Sequence, residues 1–514
     1  MQPAATAPSG ARARPAARYG PVSRSALGAP PCSRRPRRPA APTPAAAAGA
    51  GADGGDGPPI VIAGAGIAGL ATALALHRAG LRPLVVERAD SLRDEGGAIA
   101  LWANAWRALD ALGVGGALRA QHPLLLERFE LMRGDGGVLR AFDMADCDAA
   151  AAGGDDAEFR GVARGALLRA LSEALPPGSV RLGAGVDGVE AARRGAGGGP
   201  VVRLSDGSTL ACAALVGADG AGSAVARGLG LAAPNYAGYT AYRGVSQLPR
   251  GAAALLPLNT VRQMYGAGVR AGMYPLSPTS VYWFICFNAA EDAPAPATPE
   301  ARAAEAVSFV RGWGWGIEEA VEATPPAALT RSRVRDRWTA GEFGRGLVTL
   351  AGDAAHPMTP NLGQGGCSAL EDAVVLAREL KSALASGSPL EPALRRYESE
   401  RWRRCLPLTV RAWAFGAALQ LPWPPVTAAR DAFISKAFSP AHFLDHTAYD
   451  CGAAMSADGP AQRPSSVAGA LASASSQAAA AAPLALAGLM ALLWVSQPSL
   501  FWAPCPILST LLQP

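Results

Sequence analysis

Three glycine-and-acid clusters in this chain have the residue types and spacing to do chemistry. Gly64-Ala-Gly66-Ile-Ala-Gly69 follows the apolar run Ile60 to Ala63 and opens an apolar helical pattern that ends at Gly80. Between a strand and a helix, the first glycine makes the turn, the second admits a pyrophosphate to the backbone, and the third packs helix on sheet. Helix-terminal N–H groups then face the phosphates. Glu87, at the end of the next apolar strand, Leu84 to Val86, is spaced to accept hydrogen bonds from an adenosine ribose, and Arg88 follows it. In this context the cluster reads as a dinucleotide site; the alternative is a tight turn with no ligand. Asp219 and Asp353 lie just beyond Gly217 and Gly352, which close the apolar runs Ala214 to Val216 and Leu347 to Leu350. Both point at a ligand crevice.

The elements that must position these residues follow from the pattern. Strand, helix and strand over Ile60 to Val86 make a βαβ unit. Tyr239 to Val245 and Tyr274 to Phe287 are rich in aromatic and β-branched residues, as expected of an antiparallel sheet. The fold class is α/β: a Rossmann-like dinucleotide domain with an inserted mixed β-sheet substrate domain, roughly 232–335, and helices at the C-terminal side. Ala- and Gly-rich stretches around 149–157, 191–200 and 289–300 read as surface loops.

Composition bounds the rest. Residues 1–57 hold eight arginines before the first acidic residue, Asp53, and have no apolar period that would let them pack. They suit an organellar transit peptide, with plastid placed ahead of mitochondrion by resemblance rather than by composition; the alternative is a disordered extension. Those eight arginines exceed the whole net charge of +6, and only Lys381 and Lys436 are lysines, so the 58–463 body has no electrostatic footprint for nucleic acid. The eight cysteines form no CxxC pair, so neither a metal site nor a disulfide framework is expected, and a reducing compartment fits. In the low-complexity tail, 464–514, Ala478 to Val495 is free of charge and close to the short limit for a bilayer span; a membrane anchor and a floppy or interfacial tail both fit it.

The segment Gly352-Asp353-Ala354-Ala355-His356-Pro357, followed by Asn361-Leu-Gly363-Gln364-Gly365-Gly366 and a long helix from near Cys367, resembles the second FAD fingerprint of the class A FAD-dependent monooxygenases, the family of the aromatic and urate hydroxylases and zeaxanthin epoxidase. The physics agrees: Asp353 can bind ribityl hydroxyls, the glycines admit the flavin ring, and the helix directs its positive end at the ring edge where charge collects on reduction. Gly217-Ala-Asp219-Gly220-Ala-Gly222-Ser223 with Arg227 resembles the family's third signature, and Arg164 matches its flavin-reaching arginine. The resemblance covers Pro59 to Cys451. It implies FAD as cofactor, touched by Asp219 and Arg227 together with NAD(P)H as a transient co-substrate, and O2 activated as a flavin C4a-hydroperoxide that hydroxylates or epoxidises a small aromatic or polyene substrate.

Arg270 and Tyr282 fall at positions resembling the substrate-binding arginine and tyrosine of urate hydroxylase, and Pro357 at one whose ring and carbonyl approach the flavin; the bland alternative is that Arg270 and Tyr282 only stabilise the sheet. Tyr242 and Arg243 are weaker candidates of the same kind, and His356 reads as structural. Cys367 and the run Gly-Gln-Gly-Gly-Cys-Ser-Ala-Leu-Glu-Asp resemble the plant-type monooxygenases. His356-Pro357 departs from the carotenoid epoxidase, and no phosphopeptide-binding module is expected after Cys451. Two rival expectations remain: an FAD oxidoreductase that inserts no oxygen, and a non-catalytic flavin-binding scaffold. Trp313-Gly-Trp315-Gly-Ile317 only partly mimics a halogenase segment and reads as core or loop.

Overall fold

Ile60–Ala63 (β1) is four buried apolar residues in a row, the composition of a strand covered on both faces. It pairs in parallel with Pro83–Val86 (β2) and with Ala214–Gly217 (β11). Val180–Arg181 (β7) and Val348–Leu350 (β17) extend this sheet, also in parallel, to the order β17-β11-β1-β2-β7. The glycine loop, Glu87, Asp219 and Asp353 all leave the sheet at the carboxyl ends of their strands, the edge where open α/β sheets bind ligands. The computed structural model describes residues 57–92, 97–147, 158–190, 199–339 and 341–452. The transit-peptide and tail expectations, the 149–157 stretch and most of 191–200 lie outside these; 289–300 is a surface loop running into a helix that starts at Pro299.

The Ile67–Arg78 helix covers one face of the parallel sheet, ending where Leu81 N–H closes on the Leu76 carbonyl at 2.9 Å. It packs against the Gly365–Ala385 helix, which packs in turn on the Leu390–Gln420 helix. Ala98–Leu101 (β3) and Arg160–Ala163 (β6) form an antiparallel pair beside this core. Val186–Glu190 (β8), Val201–Leu204 (β9) and Thr209–Ala211 (β10) form a small antiparallel sheet.

The larger sheet runs β16-β12-β15-β14-β13-β4-β5, from Thr330–Asp336 (β16), Asn235–Gln247 (β12), Ser280–Asn288 (β15), Val269–Ser277 (β14), Thr260–Tyr265 (β13), Arg128–Arg133 (β4) and Val138–Asp143 (β5). The aromatic stretch Tyr274 to Phe287 is therefore two strands with a turn between Ser277 and Ser280, and the 232–335 sheet also recruits β4 and β5 from earlier in the chain. Strand β4 joins β13 in parallel, which makes the sheet mixed.

Alternation decides which side chain meets which partner. Tyr242, Met264, Met273, Trp283, Ile285 and Phe287 cluster with the Pro299–Val310 and Ile317–Glu322 helices, whereas Phe129, Val261, Tyr265, Tyr274 and Tyr282 join the core of the parallel-sheet half. Full burial of each such side chain stabilises by roughly 1.5–3 kcal/mol, so a one-residue register slip, which would exchange the faces, is strongly disfavoured. No helix among the described residues is long and apolar enough to cross a membrane.

Candidate active site

The turn after β1 shows which glycines the protein needs for itself. Gly64 has φ +99°, and a Cβ there would lie 2.7 Å from the Ala218 carbonyl oxygen. A Cβ on Gly69 would lie 1.8 Å from the Gly64 carbonyl oxygen, so helix and turn touch backbone to backbone. Gly66 differs, because nothing lies within 4 Å of where its Cβ would stand. Internal packing does not demand glycine at that position; a phosphate resting on the loop does. Glu87 flanks this space, its Oε2 accepting from Ala65 N–H at 2.7 Å and Oε1 from Ala89 N–H at 3.0 Å. A carboxylate has about four lone-pair sites, so it can still accept ribose hydroxyls. Arg88 is exposed, its stem lying where a Cβ on Gly185 would be 2.8 Å from its own Cβ.

Asp219 does two jobs. Its Oδ2 accepts from Ala224 N–H at 2.7 Å, capping the Ala224–Gly228 turn of helix together with the Ser223 hydroxyl, while its Oδ1 is buried with no hydrogen-bond partner. An unsatisfied buried acceptor costs roughly 1–3 kcal/mol, which a ligand hydroxyl would relieve. Arg227 is exposed and donates to the Gly222 carbonyl at 2.6 Å, on the rim of the crevice. Solvent reaches Asp353 through the crevice, yet protein encloses it closely enough to push its carboxyl up, against the opposing charges of His356 and Arg164. Arg164 opens the Arg164–Glu173 helix, its N–H bonded to the Gly97 carbonyl at 2.9 Å.

The loop from Pro357 to Gly366 brings the second fingerprint to the same crevice. A Cβ on Gly365 would meet nothing closer than 3.9 Å, the contacts being Asp353 Oδ1 and Met358 Cγ, so the N-terminus of the Gly365–Ala385 helix is open to a ring edge. Gly366 faces inward, where a Cβ would lie 2.1 Å from Ile99 Cδ1. The Gln364 side chain is fully buried and accepts from Asn104 Nδ2 at 2.9 Å, so any contact with cofactor is made by its backbone.

A buried ionic network behind this loop was missed by sequence reasoning. Asp372 accepts from Gly352 N–H at 2.7 Å, from Arg401 Nε at 2.6 Å and from His356 Nε2 at 2.7 Å. Glu371 accepts from Arg401 Nη2 and Asn104 Nδ2, each at 2.6 Å, and Arg404 reaches it at 3.1 Å. Burial opposes charge on both acids, but His356 and Arg401 hold the Asp372 carboxyl down to about 2, and Arg404 and Arg401 hold Glu371 below its ordinary value. His356 is raised well above the usual imidazole range by Asp372, despite burial. The network ties the Gly352 and Gln364 segments to one helix, and His356 is consumed in it. Paired carboxylates facing inward on a helix after the glycines were the available signal; their partner, Arg401, lies on another helix and has none.

On the aromatic sheet, Arg270 is 3% exposed. Its Nη2 donates to Asn361 Oδ1 at 2.5 Å, its guanidinium lies 5.8 Å from the Phe284 ring centroid, and its Nε has no partner. Tyr282 packs 5.0 Å from Tyr274, ring to ring. The register pairs Arg270 with Cys286 and Tyr282 with Tyr274. Arg270 and Tyr282 thus share a face but stand four residues apart along β15, roughly 13 Å. Burial pushes the Tyr282 phenol up, only partly offset by Arg243, which donates to Ser332 Oγ at 2.6 Å. Tyr242 is on the opposite face, bonded to Glu305, which removes it from the site. Pro357 is buried beside the loop, and its carbonyl accepts from Arg337 N–H at 2.9 Å.

The family model described as "FAD binding domain" matches residues 58–411. "Monooxygenase 1" of Arabidopsis thaliana is 35% identical over 412 residues, covering 76% of this chain and 98% of its own. "Monooxygenase 2" of the same organism is 33% identical over 417 residues, covering 77% and 98%. Among solved structures, Klebsiella pneumoniae HpxO complexed with FAD and uric acid superposes with a TM-score of 0.67 at 26% identity, over 76% of this chain and 96% of that one.

Proposed function

Since the chain belongs to the class A family of FAD-dependent monooxygenases, we propose that it uses NAD(P)H and O2 to hydroxylate or epoxidise a small aromatic or polyene substrate, held between the flavin loop and the Arg270 face of the large sheet. The residues fit FAD. Gly66 is open where a pyrophosphate would lie, Asp219 Oδ1 lacks a partner, Asp353 and Glu87 offer acceptors, and the helix at Gly365 opens toward the crevice. Bound there, FAD supplies electron transfer from NAD(P)H to O2 and the activated oxygen.

The chain's own residues hold and orient. Glu87, with Arg88 beside it, and Asp219 serve the adenosine end, Asp353 and Arg164 the ribityl chain, and Gly363 to Gly366 with Pro357 the ring. Arg227 on the rim serves NAD(P)H. The aromatic face of Tyr274, Tyr282 and Phe284 excludes water from the reacting centre. The observation that carries the substrate reading is Arg270: a buried cation joined to the flavin loop through Asn361, with one N–H unused. That donor suits a carbonyl or anionic oxygen on an aromatic substrate, the chemistry of the uric acid in the HpxO complex. Tyr282, remote from Arg270, serves the other end of the substrate or the ring hydroxyl.

The test loads the protein with FAD and follows NADPH and NADH oxidation with O2 uptake across phenols, purines and carotenoids, using heavy-isotope O2. One compound that stimulates oxidation and gains the labelled atom supports the proposal. NAD(P)H oxidation with no labelled product in any case favours an oxidoreductase without oxygen insertion, and bound FAD with no oxidation favours a scaffold. The proposal extends to delivery into a plastid by residues 1–57, checked by fusing them to a fluorescent protein, and to membrane contact through 464–514, checked by fractionation.

A further inference from the structure

A cavity of about 400 Å³ opens at the hairpin end of the large sheet, where the β4–β5 and β13–β14 turns meet the Pro424–Lys436 helix and the segment after Pro299–Val310. None of its lining residues belongs to the flavin crevice. Tyr265, opposite Arg270 in register, forms its inner wall, and Phe309, Trp313 and Val269 give it apolar sides.

Trp313 is built into place. A Cβ on Gly134 would lie 2.5 Å from its ring and one on Gly266 2.6 Å, so the indole is slotted against two glycine turns, yet one side stays partly exposed to the cavity. The backbone that delivers it is strained. Trp315, two residues on, has φ +73°, a region costing a bulky residue roughly 1–3 kcal/mol. Arg262 holds it there, donating to the Trp315 carbonyl at 2.9 Å with its guanidinium 5.4 Å from the ring centroid.

The rim is polar but balanced: Arg430 pairs with Asp431 at 2.8 Å and Arg133 with Asp135 at 2.9 Å. Each cation carries its own carboxylate, so the wall favours a neutral molecule over an ion while offering donors and acceptors at its edge. The volume suits a small ligand. We propose that this cavity is a second small-molecule site, built for a neutral planar aromatic of two fused rings with a polar substituent.

The test uses the full-length FAD-loaded protein without reductant, and 2-naphthol as probe. Equilibrium dialysis should show saturable binding that leaves the flavin spectrum unchanged. The probe should quench tryptophan fluorescence in the wild type and less in Trp313→Phe, which keeps a ring and keeps binding by dialysis. Ala267→Trp, an exposed position at the cavity mouth, should weaken binding at least tenfold with the flavin spectrum intact. No saturable binding, a probe-induced change in the flavin spectrum, or wild-type affinity in Ala267→Trp each overturns the proposal.

Discussion

Arg270 Nη2 lies 2.5 Å from Asn361 Oδ1, so the side chain joins β14 of the aromatic sheet to the loop that continues into Gly363. One bond couples the surface that would select a substrate to the segment that would seat the flavin. The same guanidinium keeps a buried Nε–H unpartnered.

Replacing Arg270 with Gln is expected to lower kcat/KM by a factor of about 30 or more, the scale for truncating a buried, hydrogen-bonded charge. Arg270→Lys should not restore it, because a point charge cannot serve Asn361 and substrate through a planar fork. Steady-state kinetics on the substrate identified by oxygen labelling checks this. Wild-type KM and kcat in Arg270→Gln would mean that the arginine only braces the sheet.

Gly66 and Gly69 should separate ligand binding from folding. Gly66→Val points its side chain into open space, so apo stability should change by less than about 1 kcal/mol while FAD affinity falls at least tenfold. Gly69→Val drives atoms into the Gly64 carbonyl and should cost about 3 kcal/mol or more before any ligand is added. Urea unfolding of the apo proteins and flavin-fluorescence titration give the two numbers.

The Asp372–His356 pair predicts an acid-sensitive fold. The Asp372 carboxyl is held near 2 against about 3.9 when unfolded, so its contribution is present above pH ~4 and disappears as pH falls toward 2, a loss on the order of 2 kcal/mol. His356 is shifted upward, so its share is full below its unfolded value of about 6.5 and lost only as pH rises through its higher folded value. Removing one partner, as in Asp372→Ala, should cost about 3–5 kcal/mol, and the double variant with His356→Gln should cost less than the two single losses added. Denaturant midpoints across the pH range test both statements.

His446 has the opposite linkage. Burial first, then Arg411 and Arg404, push it down to about 3, and neither ring nitrogen has a hydrogen-bond partner between Trp102 and Phe443. The unfolded imidazole takes up a proton below about 6.5 while the folded one does not, so stability is lost as pH falls from there toward 3. His446→Phe should keep the packing and, relative to wild type, gain up to about 2 kcal/mol at about pH 5. An unchanged difference between the two proteins at about pH 7.5 and about pH 5 would show that His446 titrates normally.

Tyr242 and Tyr282 lie on opposite faces of one sheet. Tyr242→Phe loses its bond to Glu305 and should reduce stability by about 1 kcal/mol with kcat unchanged. Tyr282→Phe should leave the melting temperature nearly unchanged and lower kcat severalfold. The reverse pattern would move the active face to the helix-covered side of the sheet.

Sequence by itself determined the parts whose physics is local. The Gly64-to-Gly69 turn, the end of β2 at Glu87 and the Asp219 and Asp353 positions all follow from short-range rules: a positive φ at Gly64 with Gly69 packed on the Gly64 carbonyl, an apolar run long enough for one buried strand, an acid just beyond it. Tertiary structure decided what depends on distant partners. Tyr242 and Arg243 are neighbours on β12 and so face opposite ways, but only packing says which face a helix covers. Gln364 sits among ligand-facing glycines in sequence, yet Asn104, 260 residues away, claims its side chain. The Arg401 that neutralises Glu371 and Asp372 has no local mark, because a buried charge becomes stable only where the fold supplies its opposite. The distance between Arg270 and Tyr282 was likewise set by hairpin register, which two residue names cannot encode.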